Sequence, residues 1–129
     1  MSAALSPSAP APVARELWSH EFLEALALAY YTEMAHRLRA NPALAACARE
    51  NLRRWLAGGG YAESQVRALR EWEPLLEPQR LADLLRVMTD DGEEAARMRQ
   101  SGPFAGVLTA QERKAIKEEL KTRWCHGTL

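Results

Sequence analysis

Helix-breaking residues recur along this chain at intervals too short for any long helix. Asn41-Pro42, Gly58-Gly59-Gly60, Pro74, Pro78 and Gly102-Pro103 cut it into segments. Within the segments apolar residues return every three or four positions, which places them on one face of a helix. No stretch alternates with period two between turn signals, so no sheet is expected. No heptad persists, so a long coiled coil is excluded. The expected fold is all-α: a compact orthogonal bundle of five or six short helices with brief connections.

The first helix is expected from about 16, or from a cap at Ser19, to about 39. Leu23, Leu26, Tyr30, Met34 and Leu38 form its apolar face, widened by Phe22 and Tyr31. Asn41 as N-cap and Pro42 at the first helical position suit the start of a second helix. Leu44, Cys47 or Ala48, Leu52, Trp55 and Leu56 mark its buried side, and the three glycines end it. A third helix over 62–73 buries Val66, Leu69 and Trp72 and is stopped or bent by Pro74. A fourth over 79–88 turns Leu81, Leu84, Leu85 and Met88 inward. Thr89 or Asp90 caps a short fifth helix over 91–100, whose acidic first turn and basic last turn suit its dipole. Thr109 and Glu112 have capping-box spacing. They open a last helix to about 123 with Ile116, Leu120 and Trp124 as its apolar face.

A chain of 129 residues, 47% of them hydrophobic, can bury a real core in one domain without metal or disulfide. The expected division is a disordered Ala/Ser/Pro-rich segment 1–15, a helical domain 16–125 and a short tail 126–129. Cys47 and Cys125 are isolated, which favours a reduced, cytoplasmic setting over a disulfide framework. No long apolar run predicts a membrane span, and the first residues lack the basic and apolar regions of a signal peptide.

Catalytic chemistry finds little support. His20, His36 and His126 lie too far apart to share a metal, and Cys125-His126 is poor ligand geometry. Asp90, Asp91, Glu93 and Glu94 cluster without EF-hand spacing and read as an acidic helix start. No zinc-protease, phosphate-loop or serine-hydrolase motif is present. The expectation is a non-enzyme with no cofactor and no metal.

The formal net charge is zero, which argues against a strongly charged partner as the main target. The neutrality nonetheless hides opposite blocks. Residues 36–70 carry seven arginines against two acids, 71–94 eight acids against two arginines, and 95–129 seven basic residues against three glutamates. Pairing between the blocks explains this pattern. So does an Arg-rich surface of Arg49, Arg53 and Arg54 beside Trp55 that contacts phosphates, the nucleic-acid-binding alternative.

One segment escapes periodicity altogether. Arg97 and Arg99 close one helical pattern, and a Gly-Pro-Phe-Ala-Gly turn with Phe104 at its centre follows. Phe104 and Leu108 can staple the last helix to the core. Alternatively, Phe104 is an apolar anchor for a partner protein. In that reading Arg97, Arg99, Gln100, Ser101, Pro103, Gly106 and Arg113 surround it, and the arginines meet carboxylates or block a phosphate-binding site.

The pattern of Leu38, Asn41-Pro42, Ala48, Asn51-Leu52 and Arg54-Trp55, then Glu71-Trp72, Leu75-Leu76 and Leu84-Leu85, then Asp90, Ala96, Arg99-Gln100-Ser101, Pro103-Phe104-Ala105-Gly106, Leu108 and Glu112-Arg113 resembles a family of short bacterial helical proteins of unassigned activity. Their signature is Arg-Gln-x-Ser-Pro-Phe-Ala-Gly-x-Leu. The resemblance spans about residues 20–115, and its loop portion is the specific part. This chain departs from it at Gly102, directly before Pro103, where the signature has Ser. The resemblance implies a partner-binding, antitoxin-like role in a two-gene module beside a toxin or nucleotidyltransferase-type enzyme.

Overall fold

A computed structural model describes residues 19–126. The expected disordered segment 1–15, Trp18 and the last three residues of the tail lie outside the described residues. Among the described residues there are six α-helices and no strand. They are α1 (His20–Ala40), α2 (Leu44–Gly58), α3 (Glu63–Arg70), α4 (Leu81–Thr89), α5 (Glu93–Arg99) and α6 (Ala110–Cys125). Two single 3₁₀ turns, Glu73–Leu76 and Pro78–Arg80, join α3 to α4. The chain is thus an all-α bundle of short helices. No helix is long and apolar enough to cross a membrane.

Two capping predictions are realised in full. The Ser19 hydroxyl accepts the Phe22 N–H at 3.1 Å and starts α1. At α6 the Thr109 hydroxyl accepts the Glu112 N–H at 3.0 Å, while the Glu112 carboxylate accepts the Thr109 N–H at 2.8 Å. Glu112 also pairs with Arg37 of α1. The hydrogen bond from Arg37, then that from the Thr109 N–H, holds its carboxyl down at about 2. A carboxyl held low in the fold stabilises it above the pH at which an unfolded glutamate ionises, and that contribution fades as pH falls through the folded value. The acid limb of thermal stability is therefore expected to flatten in Glu112→Gln between about pH 4.5 and 2. A limb superimposable on wild type would show that Glu112 carries none of it.

Other helix starts differ from expectation. Asn41 does not cap α2; its N–H closes the end of α1 on the Arg37 carbonyl. A turn of i to i+3 bonds, with Leu44, Ala45 and Ala46 N–H donating to Asn41, Pro42 and Ala43, leads into α2 instead. Neither Thr89 nor Asp90 caps α5, which starts behind Gly92 with no side-chain cap. The Thr89 hydroxyl donates back to the Leu85 carbonyl of its own helix. The third helix ends at Arg70 and yields to a 3₁₀ turn holding Pro74, because proline fits the first turn of a new helix better than the interior of an old one.

The long helix α1 is the axis of the bundle. It packs on α2, α4, α5 and α6. Its residues Tyr31, Met34, Ala35 and Leu38 enter the main core with Ala48, Leu52, Leu69, Trp72, Leu76, Leu84, Met88, Phe104 and Leu108. A second cluster of Phe22, Leu26, Leu120 and Trp124 seals α1 to α6, with the Phe22 and Trp124 rings edge to face at 5.5 Å. Within α2, Ala48 is the buried member of the Cys47/Ala48 pair and Cys47 is exposed.

Candidate interaction cleft

The loop 100–109 is built from the inside. Phe104 is 2% exposed, and its ring meets Tyr31 and Trp72 edge to face at 5.6 and 5.3 Å. Tyr31 and Trp72 stack on each other at 6.1 Å. Three aromatic rings from α1, the α3 end and the loop therefore form one unit, a geometry that adds to area burial. Burial pushes the Tyr31 hydroxyl up to about 12. Behind Phe104 the Val107 N–H donates to the Phe104 carbonyl at 3.2 Å, and Gly106 has φ +92°, the pattern of a type II turn that calls for glycine at its third position.

Asn51 fastens the loop to α2. Its amide nitrogen donates to the carbonyls of Pro103 at 3.1 Å and Ala105 at 2.9 Å, and its amide oxygen accepts from Arg54 at 2.9 Å. Sequence reasoning gave Asn51 no role of its own. The available signal was an amide at a position three residues from Ala48 and four from Trp55, inside the apolar stripe of α2, where a buried polar group must find partners.

The partner-binding residues expected from sequence divide into three groups. Phe104 and Pro103 are buried and give up the docking role to the core. Arg99 is also buried, 5% exposed, and its guanidinium donates to the carbonyls of Val87 and Asp90 at 3.0 and 2.7 Å. It closes the negative end of α4, which a cation favours, and does not reach outward. Gly106 sits on the exposed turn, and Arg113 lies over the Tyr30 ring at 5.1 Å. Arg99 and Gln100 border a small concave surface beside His20 and Glu24 of α1, and Arg97, Gln100 and Ser101 come together on a larger one.

That surface is a cleft of about 460 Å³ between the end of α2, α3 and the end of α5. This is within the size range of ligand pockets. Trp55, Tyr61, Ala68 and Leu69 supply its apolar side, and Ser64, Gln65, Gln100, Ser101 and Arg97 its polar side. Tyr61 is 40% exposed. The side chains of Ser64 and Gln100 make no hydrogen bond within the described residues. Gln65 uses its oxygen on the Ala62 N–H at 2.8 Å, opening α3. Arg97 is committed: it grips Glu71 with two bonds of 2.9 Å and also pairs with Glu94. The Arg97 hydrogen bond holds the Glu71 carboxyl below its ordinary value.

A second hollow adjoins the first on the neighbouring face of α3. It shares Ser64, Ala68 and Arg97 with the first and adds Arg67, Arg70 and Glu71. Arg67 faces Glu63 at 3.6 Å and Arg70 faces Glu73 at 3.3 Å, all four side chains well exposed. Such surface pairs contribute about 0–1 kcal/mol and exchange partners readily.

The alternative arginine surface is tied down. Arg49 donates to the Leu76 carbonyl at 2.5 Å, Arg53 pairs with Glu50, and Arg54 binds Asn51. Arg97 with Glu71 and Arg70 with Glu73 join opposite charge blocks, whereas Arg37, Arg53 and Arg67 pair with acids outside the 71–94 block. Among the described residues no three His, Cys, Asp or Glu side chains converge on a metal position. No family model, no curated protein and no solved structure matches the chain.

Proposed function

We propose that this chain is a non-enzymatic interaction protein that takes a segment of a partner protein into the cleft between α3 and the end of α5. The observation that carries this reading is the pairing of a half-open aromatic wall, Trp55 and Tyr61, with the uncommitted polar groups of Ser64 and Gln100. Aromatic side chains beside hydrogen-bonding groups are the composition of binding hot spots. The resemblance of the loop adds an antitoxin-like role in a bacterial cytoplasm, with the companion enzyme of a two-gene module as the partner. The loop then serves the cleft from beneath, by holding Gln100 and Ser101 at its rim.

Tyr61 and Ser64 are exposed, so Tyr61→Ala and Ser64→Arg leave the core intact. In affinity capture from a nuclease-treated native lysate, both variants are expected to lose the partner recovered by wild type by about tenfold or more. Equal recovery by wild type and both variants would refute the cleft as the binding surface. Recovery of nucleic acid in place of protein in an untreated sample would return the role to Arg49, Arg53 and Arg54.

A further inference from the structure

We propose that a small hollow between α1 and α5 binds a monocarboxylate, an acid with a single charge and a hydrocarbon body of about six carbons. The hollow is distinct from the cleft, and its occupant is a small molecule. His20, Leu23, Glu24 and Ala27 line it from α1, spaced three and four apart on one helix face, and Ala96 and Arg99 line it from α5.

The state of Arg99 carries the proposal. The residue is 5% exposed, yet among the described residues no Asp or Glu forms an ion pair with it. Its Nη1 donates to the Val87 and Asp90 carbonyls and caps α4. That cap occupies one nitrogen of three. Nε is sealed from solvent and has no hydrogen-bond partner. Nη2 has no partner either, but it is not sealed, and Arg99 lines the hollow. A buried cation ordinarily holds a counter-charge in contact, and burial here works against the charged form. A carboxylate entering the hollow supplies that contact as a charge-assisted hydrogen bond from Nη2. Gln100, whose side chain makes no hydrogen bond among the described residues, borders the hollow and can donate to the second oxygen.

The surrounding charges limit the ligand to one negative charge. Glu24 is the one acid lining the hollow, and it is turned to His20 at 2.7 Å. Asp90 and Asp91 act on Arg99 from a distance. Three acids thus stand against Arg99 and, when it is protonated, His20. They repel a multiply charged anion such as phosphate. A single charge in contact with the guanidinium gains more than it loses, because Coulomb energy falls with distance. Size sets the body of the ligand. The hollow measures about 250 Å³, and a cavity of about 150 Å³ accepts benzene. Ala27 and Ala96 leave the space, and Leu23, 46% exposed, gains cover from an apolar body.

The test is an NMR titration of the ¹⁵N-labelled full chain with benzoate and hexanoate, and with benzamide and inorganic phosphate as contrasts. Both acids are expected to give saturable shifts in the millimolar range or tighter. The shifts should centre on the Ala27, Ala96 and Gln100 amides and the Arg99 Nε–H resonance. Benzamide and phosphate should bind at least about tenfold more weakly. Glu24→Gln, at an exposed side chain, removes the rival acid and should tighten benzoate about threefold or more. Ala96→Leu fills the hollow and should abolish binding. Benzamide binding as well as benzoate, or phosphate binding as tightly, would overturn the monocarboxylate. An affinity that Glu24→Gln leaves unchanged would overturn the role of Arg99. No saturation with either acid, or shifts away from the hollow that survive Ala96→Leu, would overturn the site.

Discussion

Phe104→Ala is expected to lower the stability of the fold by about 3–5 kcal/mol, the usual cost of emptying a buried phenylalanine site, and to drop Tm by about 10 °C or more. The site cannot collapse to fill the void. Its walls are Tyr31, locked on α1, and Trp72, which is fully buried and whose indole N–H donates to the Met98 carbonyl at 3.2 Å. The ring contacts at 5.6 and 5.3 Å are lost together with the buried area. Urea unfolding followed by circular dichroism measures the effect. A partner anchor in solvent would behave in the opposite way, abolishing capture with Tm unchanged, and that outcome would contradict the burial of this residue.

The second large effect is expected at Gly102. A Cβ built there would lie 1.9 Å from the Tyr31 hydroxyl oxygen and 2.9 Å from the carbon that bears it. Tyr31 is 7% exposed and sandwiched with Trp72 and Phe104, so it has nowhere to swing. Gly102→Ser is therefore expected to cost about 1–3 kcal/mol, as overpacking does. Removing the offending oxygen with Tyr31→Phe should return part of that loss, because the ring carbons stay close. The coupling in the double-mutant cycle should exceed about 0.5 kcal/mol. A serine variant as stable as wild type would mean that the ring yields freely.

The helices were legible because their determinants are local. Ser19 and the Thr109–Glu112 box specify starts by hydrogen bonds within one turn, and the apolar spacing of Leu26, Met34 and Leu38 specifies a face. The misplaced starts were those where the expected cap residue bonds back to the helix before it. Asn41 has the right chemistry for an N-cap but stands two residues ahead of the cap position, Ala43, and serves as the C-cap of α1. Thr89 donates to the Leu85 carbonyl of α4, and α5 begins behind Gly92, which has no side chain to cap it. The site was harder to read. The loop was visible as an anomaly with two readings open, and the burial of Phe104 and Leu108 answers to the staple: the apolar residue faces inward, while Gln100 and Ser101 form the rim. The other half of the cleft, Tyr61, Ser64 and Gln65, comes from a stretch some forty positions earlier. Nothing in linear spacing brings the two halves together; the packing of α2, α3 and α5 around one core does.

Asn51 and the three-ring unit give the Pro-Phe-Ala-Gly string a meaning of its own. Two of its carbonyls are hooked to α2, and its aromatic ring is wedged between α1 and Trp72. The string is a latch. A search keyed to it would gather chains that shut the same way, whatever clients they serve. On the proposed function, kinship of purpose would instead be written at Tyr61 and Ser64, whose exposed side chains can change while the latch stays fastened.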